Sequence, residues 1–392
     1  MLELLLTAAL AGPVPAPPPA GPKAMAPSLT STPDGAWLTW LEPTTDAGVL
    51  ELRAAFRGHG RETPWTTPVT ITRRGDFFAN WADVPRLGVG GDGSLYATWL
   101  QQNGPGTYAY DIGIARSIDG TNWAMLGTLN DDRVLSEHGF VSLLPEGDGV
   151  RAFWLDGRAM SGDGHDGHGG GDMSLRTALV TDTVGESIVL DERVCECCPT
   201  AAVQLPLGSA VVVRDRGLEE ERDIAIIRGV EGVWSKPVLV SEDSWRINGC
   251  PVNGPRIAAD GARIAVVWYS SGGDRPGLSL AWSTDGGITF DTPHQVDDRT
   301  ATGRPALAML PDGAMVAWFD EDGTGQWLRV AVMNYAGTLG PTEVVAKAAN
   351  GRRGGVPQIA SLGDHVLLTW VAHDRTKGLD ALLLPVGAFP RP

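Results

Sequence analysis

Seven times along this chain an alternating apolar stretch ends at the same place in a recurring unit of about 50 to 60 residues. Tryptophan holds that place at Trp40, Trp99, Trp154, Trp268, Trp318 and Trp370, and Val213 holds it in the remaining unit. Each unit reads as a Pro- or Gly-led apolar stretch, a turn that often carries Asp-Gly, the strand ending in Trp, a polar loop and two further strands. Four strands in a unit of this length make one blade of a β-propeller, and helical periodicity is nowhere sustained. The expected fold is therefore all-β, a single propeller over 27–390 with first strands starting near Pro27, Pro85, Phe140, Thr200, Pro255, Pro305 and Pro357. Seven units argue for seven blades; a closed ring can share one unit between its termini, so six is the alternative. The last unit lacks a fourth strand, which must then be absent or come from the N-terminus.

Composition supports frequent turning around a real core: 51 Gly and 28 Pro accompany 43% hydrophobic residues. Lys and Arg number 31 against 47 Asp and Glu, a net charge of −16. Such a chain lacks the clustered cations that neutralise phosphates, so nucleic acid is excluded as a partner. The apolar run at 2–11 reads as part of a signal peptide spanning 1–16, followed by a Pro-rich linker at 17–26, which predicts a secreted or periplasmic protein. No other run approaches the roughly 18 apolar residues of a membrane span.

Two units carry a further mark after their third strand. Ser283-Thr284-Asp285-Gly286-Gly287-Ile288-Thr289-Phe290 and the shorter Ser117-Ile118-Asp119-Gly120-Thr121-Asn122-Trp123 place an Asp where it can accept backbone N–H groups and an aromatic where it can be buried. These Asp-boxes and the repeat resemble those of the sialidase superfamily, the BNR-repeat propellers, over nearly the whole chain. The resemblance implies an arginine triad for a substrate carboxylate, a Tyr nucleophile activated by Glu, and an Asp acid/base. Arg86, Arg256 and Arg304 each open a first strand and are the expected clamp, since guanidinium pairs bidentately with carboxylate. Asp83 is the corresponding acid candidate, Tyr269 the nucleophile and Glu137 its base. The Arg-Ile-Pro motif usual near the N-terminus of these enzymes is absent; the first unit reads Pro27-Ser28-Leu29-Thr30 there. The competing reading pairs the arginines with Asp156, Asp215 and Asp320, two residues beyond the Trp position.

Loops entering a first strand and leaving a second strand share one face of a propeller, because the two strands are antiparallel neighbours. That rule gathers Cys195, Cys197, Cys198 and Cys250, the only four cysteines, on adjacent blades. The segment Met160–Met173, with His165 and His168, opens beside them. Thiols with imidazoles and thioethers suit Cu(I) first and Zn(II) next. Two disulfides are the alternative, with Cys195 or Cys198 joined to Cys250. Asp163, Asp166 and Asp172 offer Ca2+ a weaker site without an EF-hand pattern. Arg214-Asp215-Arg216 stands on the same face and would orient such ligands.

The leading expectation is an extracytoplasmic sialidase-like propeller with a Cys/His/Met metal site, copper before zinc, with a binding or redox role. The alternatives are a glycoside hydrolase acting on sialic acid or a related acidic sugar, and a non-catalytic propeller that binds glycan or protein. The expected partner is thus a metal ion or an acidic glycan, and nothing in the sequence specifies a protein partner.

Overall fold

The computed structural model describes residues 12–160, 171–273, 276–297, 301–374 and 376–389. It contains seven antiparallel sheets, one for each repeat unit. The first strands are Met25–Thr32, Arg86–Val89, His138–Glu146, Ala201–Leu205, Arg256–Asp260, Ala306–Leu310 and Gln358–Leu362, numbered here as blades 1 to 7. All begin within two residues of the expected positions. Each packs against the first strands of both neighbouring blades, so the ring closes with seven blades and the six-blade alternative falls.

The Trp residues explain how the blades pack. Trp40, Trp154, Trp268 and Trp318 are fully buried, and Val213 fills the same layer in blade 4. An indole buried among apolar side chains still needs an acceptor for its N–H. Glu42, Gln101 and Asp156 supply it two residues further on, at 2.8, 3.1 and 2.9 Å, and Asp243 does so for Trp268 at 2.6 Å. The first three acceptors lie on the same strand face as their Trp because side chains repeat every two residues, while Asp243 comes from the loop after Val238–Ser241 of blade 4.

The Asp-boxes are turn devices on the opposite rim. Asp119 Oδ1 accepts the N–H groups of Thr121 and Asn122 at 2.8 and 2.7 Å; Asp285 Oδ1 accepts those of Ile288 and Thr289, both at 3.0 Å. Ser117 and Ser283 complete the turns by accepting from Gly120 and Gly287.

Ring closure draws on the N-terminal segment. Val14–Pro15 pairs with Leu382 and Leu383 as the outer strand of blade 7, the N-terminal solution foreseen for the missing strand. Ala16 is buried, donates its N–H to Ala381, and its carbonyl accepts from the Trp65 indole. A cut after Ala16 would remove this clasp, and 17–26 is not a free linker, since Ala24 is in the core and blade 1 begins at Met25. No helix among the described residues is long and apolar enough to cross a membrane.

Candidate functional site at the channel mouth

The face that receives the first strands gathers most of the unusual chemistry. Arg86 and Arg256 are the first residues of innermost strands on blades 2 and 5, and both remain partly exposed to the channel. Arg86 Nη1 donates to Ser28 Oγ at 3.1 Å, and Arg256 Nη1 donates only to the carbonyl of Pro255 at 2.9 Å. Neither has a carboxylate within ion-pair distance among the described residues. Burial and the neighbouring Arg86 charge push the Arg256 pKa down to about 9. Two guanidiniums that feel each other's charge, with Asp83 acting on Arg86 alone and neither in an ion pair among the described residues, form a site that an anion would relieve.

Beside them stand two protonatable carboxyls. Asp83 is buried, and its Oδ2 accepts the Phe140 N–H at 2.7 Å. That N–H is redirected by a bulge between Gly139 and Ser142, where Phe140 adopts the left-handed φ of 55°. Gly139 is required because a Cβ there would overlap the Asp83 carboxylate. Burial pushes the Asp83 pKa up to about 7 against the pull of that N–H and of Arg86. Glu137 is raised to about 7 as well, chiefly by burial, yet it retains some exposure.

Glu137 takes its hydrogen bond from Tyr110, whose hydroxyl lies 2.6 Å from Oε1. The sequence reading had assigned Tyr269 to this partnership. Tyr269 instead lies on blade 5, bonded to Ser271 at 3.0 Å and edge-on to Trp245, because its place on the second strand aims it at the rim. Tyr110 is fully buried and stacked on Phe78 at 4.3 Å, so it holds Glu137 from behind. No motif marks it; it follows an ordinary polar loop. The adjacent His138 is buried between the Tyr110 carbonyl and Asp132, with Asp156 close by. Burial opposes its imidazolium, but Asp132 and Asp156 outweigh this and raise its pKa. Arg158 lies 3.1 Å from Asp132 and 2.7 Å from Asp156, so this His/Asp group carries its own counter-ion.

Arg304 does not complete a triad facing the channel. It is buried, donating to the carbonyls of Gly351 and Gly355 at 3.1 and 3.0 Å and to Thr302. It therefore joins the loops of blades 6 and 7. Nor do the arginines pair with the second-strand carboxylates. Asp156 is taken by Trp154 and Arg158, Asp320 by Arg329, and Asp215 accepts the Arg216 N–H.

The four cysteines converge as expected, and their sulfurs are paired: Cys195–Cys198 and Cys197–Cys250. The bridge joining two blades comes from Cys197 and not from Cys195 or Cys198, which the local turn ties together. The Sγ atoms of Cys195, Cys197 and Cys198 lie within 4.8 Å of one another and are buried. Met173 belongs to the same buried cluster and Met160 packs against it. Glu196 is anchored below by Arg216 and Arg222 at 2.5 and 2.7 Å, while fully buried Arg214 donates to the carbonyls of Asn253, Arg222 and Tyr269. His165, His168, Asp163 and Asp166 lie outside the described residues; Asp172 contacts Arg193 and Arg216.

No family profile and no curated protein sequence matches the chain. Its architecture is nevertheless shared. A Hadza microbial sialidase superposes with a TM-score of 0.50 at 15% identity, over 90% of this chain and 77% of its own. An ulvan lyase, a polysaccharide lyase bound to a GlcA(1-4)Rha3S unit, reaches 0.56 at 11% identity over 94% and 95%. The phage phi92 endosialidase reaches 0.53 at 9% identity over 96% and 69%. The chain is accordingly a seven-bladed β-propeller, the fold it shares with these enzymes.

Proposed function

We propose that this protein is an extracytoplasmic propeller that binds and cleaves acidic glycans at the mouth of its channel. The observation that carries this reading is the partly exposed Arg86 and Arg256 pair, outside any ion pair among the described residues, next to two carboxyls poised near neutrality. Arg86 and Arg256 would hold the carboxylate or sulfate of the sugar. Glu137, the more exposed carboxyl, would transfer the proton to or from the glycosidic oxygen or water, since a group with pKa near working pH serves both roles. Tyr110 positions it by fixing one oxygen through its hydroxyl, and Asp83 stands by Arg86. The three structural neighbours are named for glycan-cleaving activities, which supports the substrate class, and two disulfides fit an oxidising compartment. Fluorogenic sialosides and uronides assayed between pH 5 and 8 test the proposal. Glu137→Gln is expected to lower turnover about 100-fold or more, and Arg256→Met to weaken binding. Folded wild-type protein that neither binds nor cleaves any acidic sugar would overturn it.

A second reading is favoured by the close approach of three buried cysteine sulfurs. After reduction, Cys195, Cys197, Cys198 and Cys250, with Met160 and Met173 alongside, offer a thiolate-rich site for Cu(I) or, less well matched, Zn(II). A disulfide sulfur is no thiolate ligand, so this reading requires the reduced chain. Elemental mass spectrometry after anaerobic reduction, Cu(I) loading and desalting tests it. Stoichiometric copper lost in Cys197→Ser supports the site; no retained metal dismisses it.

A further inference from the structure

A second concavity opens on the same face, between blades 7, 1 and 2. It encloses about 890 Å3, within the roughly 300–1,000 Å3 of small-ligand sites. Phe78, Trp81 and Tyr108 supply its aromatic wall, and Lys23, Arg352 and Arg353 its charge. No Asp or Glu among the described residues lines it, although acids outnumber bases by 16 in the chain. None of the three cations has a carboxylate within ion-pair distance among the described residues. Such a lining suits an anionic ligand that presents broad apolar faces to the rings.

Trp81 ties the cleft to the segment that carries Asp83 and Arg86. The Arg304 guanidinium lies 5.4 Å from the Trp81 ring, Arg304 binds the Gly355 carbonyl, and Gly355 lines the cleft. Two residues after Trp81 comes Asp83, beside Arg86.

We infer that this cleft is an extended subsite for the flanking residues of an acidic oligosaccharide, whose ring faces stack on Tyr108 and Trp81 and whose anionic groups meet Lys23, Arg352 and Arg353. The inference rests on the acidic-glycan reading and assigns its substrate class: polymers in preference to monosaccharides. Aromatic faces suit the C–H surfaces of pyranose rings, and guanidinium suits carboxylate or sulfate. Tyr108 is 54% exposed, so its ring can be removed without opening the core.

Calorimetric titration with oligosialic acids and oligogalacturonates of one to five residues tests this on wild type, Tyr108→Ala, Arg353→Glu and Arg256→Met. Wild-type affinity should rise about tenfold or more from monomer to pentamer. Tyr108→Ala and Arg353→Glu should abolish that rise while leaving monomer affinity unchanged. Equal dependence on length in these variants and wild type, or no oligomer binding at all, overturns the subsite. If Arg256→Met leaves monomer binding intact while Arg353→Glu still abolishes the oligomer gain, the channel reading fails and the cleft stands.

Discussion

Replacing Arg256 by methionine should make the ligand-free protein more stable and its anion response disappear. The guanidinium lies partly buried beside Arg86 with one carbonyl as its hydrogen-bond acceptor. Its pKa falls from 12.5 to about 9. At about 1.4 kcal/mol per unit, roughly 3.5 units correspond to an upper bound near 5 kcal/mol. Screening by the water in the channel reduces this to about 2 kcal/mol. For a chain of 392 residues that is a rise of about 2–3 °C in Tm, at about 2 cal/mol/K per residue. The assay is thermal unfolding in a weakly binding chloride buffer, with and without sulfate or sialic acid. In wild type, an anion at a hundred times its Kd should add about 2.7 kcal/mol; in the variant it should add nothing. A variant less stable than wild type, or one that keeps the anion shift, would refute the argument that Arg256 is an uncompensated charge awaiting a ligand.

Other outcomes follow from the same geometry. Gly139→Ala should displace Asp83 from the Phe140 N–H and lower turnover by at least tenfold while retaining β-sheet circular dichroism, measured beside Asp83→Asn for comparison. Asp83 and Glu137 have folded pKa values raised to about 7, so the native state holds their protons more tightly than the unfolded chain between about pH 4 and 7. Their stabilising contribution is complete below pH 4 and is lost as pH rises through 7; denaturant midpoints from pH 5 to 8 should show this decline, flattened in Glu137→Gln. Removing Cys197–Cys250, whose cysteines are 53 residues apart, should destabilise by about 4 kcal/mol, against about 2 kcal/mol for Cys195–Cys198 at a separation of 3, read from urea midpoints of the paired Cys→Ser variants. Asp285→Ala, which frees two backbone N–H groups in its turn, should cost about 1–2 kcal/mol by the same assay.

Much of the architecture was legible in the residues because it rests on local, repeated physics. An alternating strand that ends in Trp has one face to bury, and doing so seven times at similar spacing leaves a ring of blades as the economical packing. The Asp-box turns were equally legible, since their hydrogen bonds connect residues only two to four apart. Convergence of the four cysteines also followed from strand direction alone. The pairing did not: Cys197 and Cys198 are neighbours in sequence, and only the local turn decides which sulfur faces Cys250.

The site itself depended on contacts between distant segments. Tyr110 meets Glu137 across 27 residues and Asp83 meets Phe140 across 57, with no spacing rule to link either pair. Arg256 is the first residue of its strand while Arg304 lies two residues before Ala306, where its strand starts, and one is left with Pro255 alone while the other is consumed by the carbonyls of Gly351 and Gly355. The cationic cleft draws residues from 22–26, 78–81, 107–108 and 352–378, segments brought together only when the N-terminal strand closes the ring. The sequence alone determined the blade, its buried Trp and its turns, because strand alternation and hydrogen bonding act over a few residues. Tertiary structure alone decided which charges lack partners, because the acceptors that neutralise or fail to neutralise an arginine arrive from other blades.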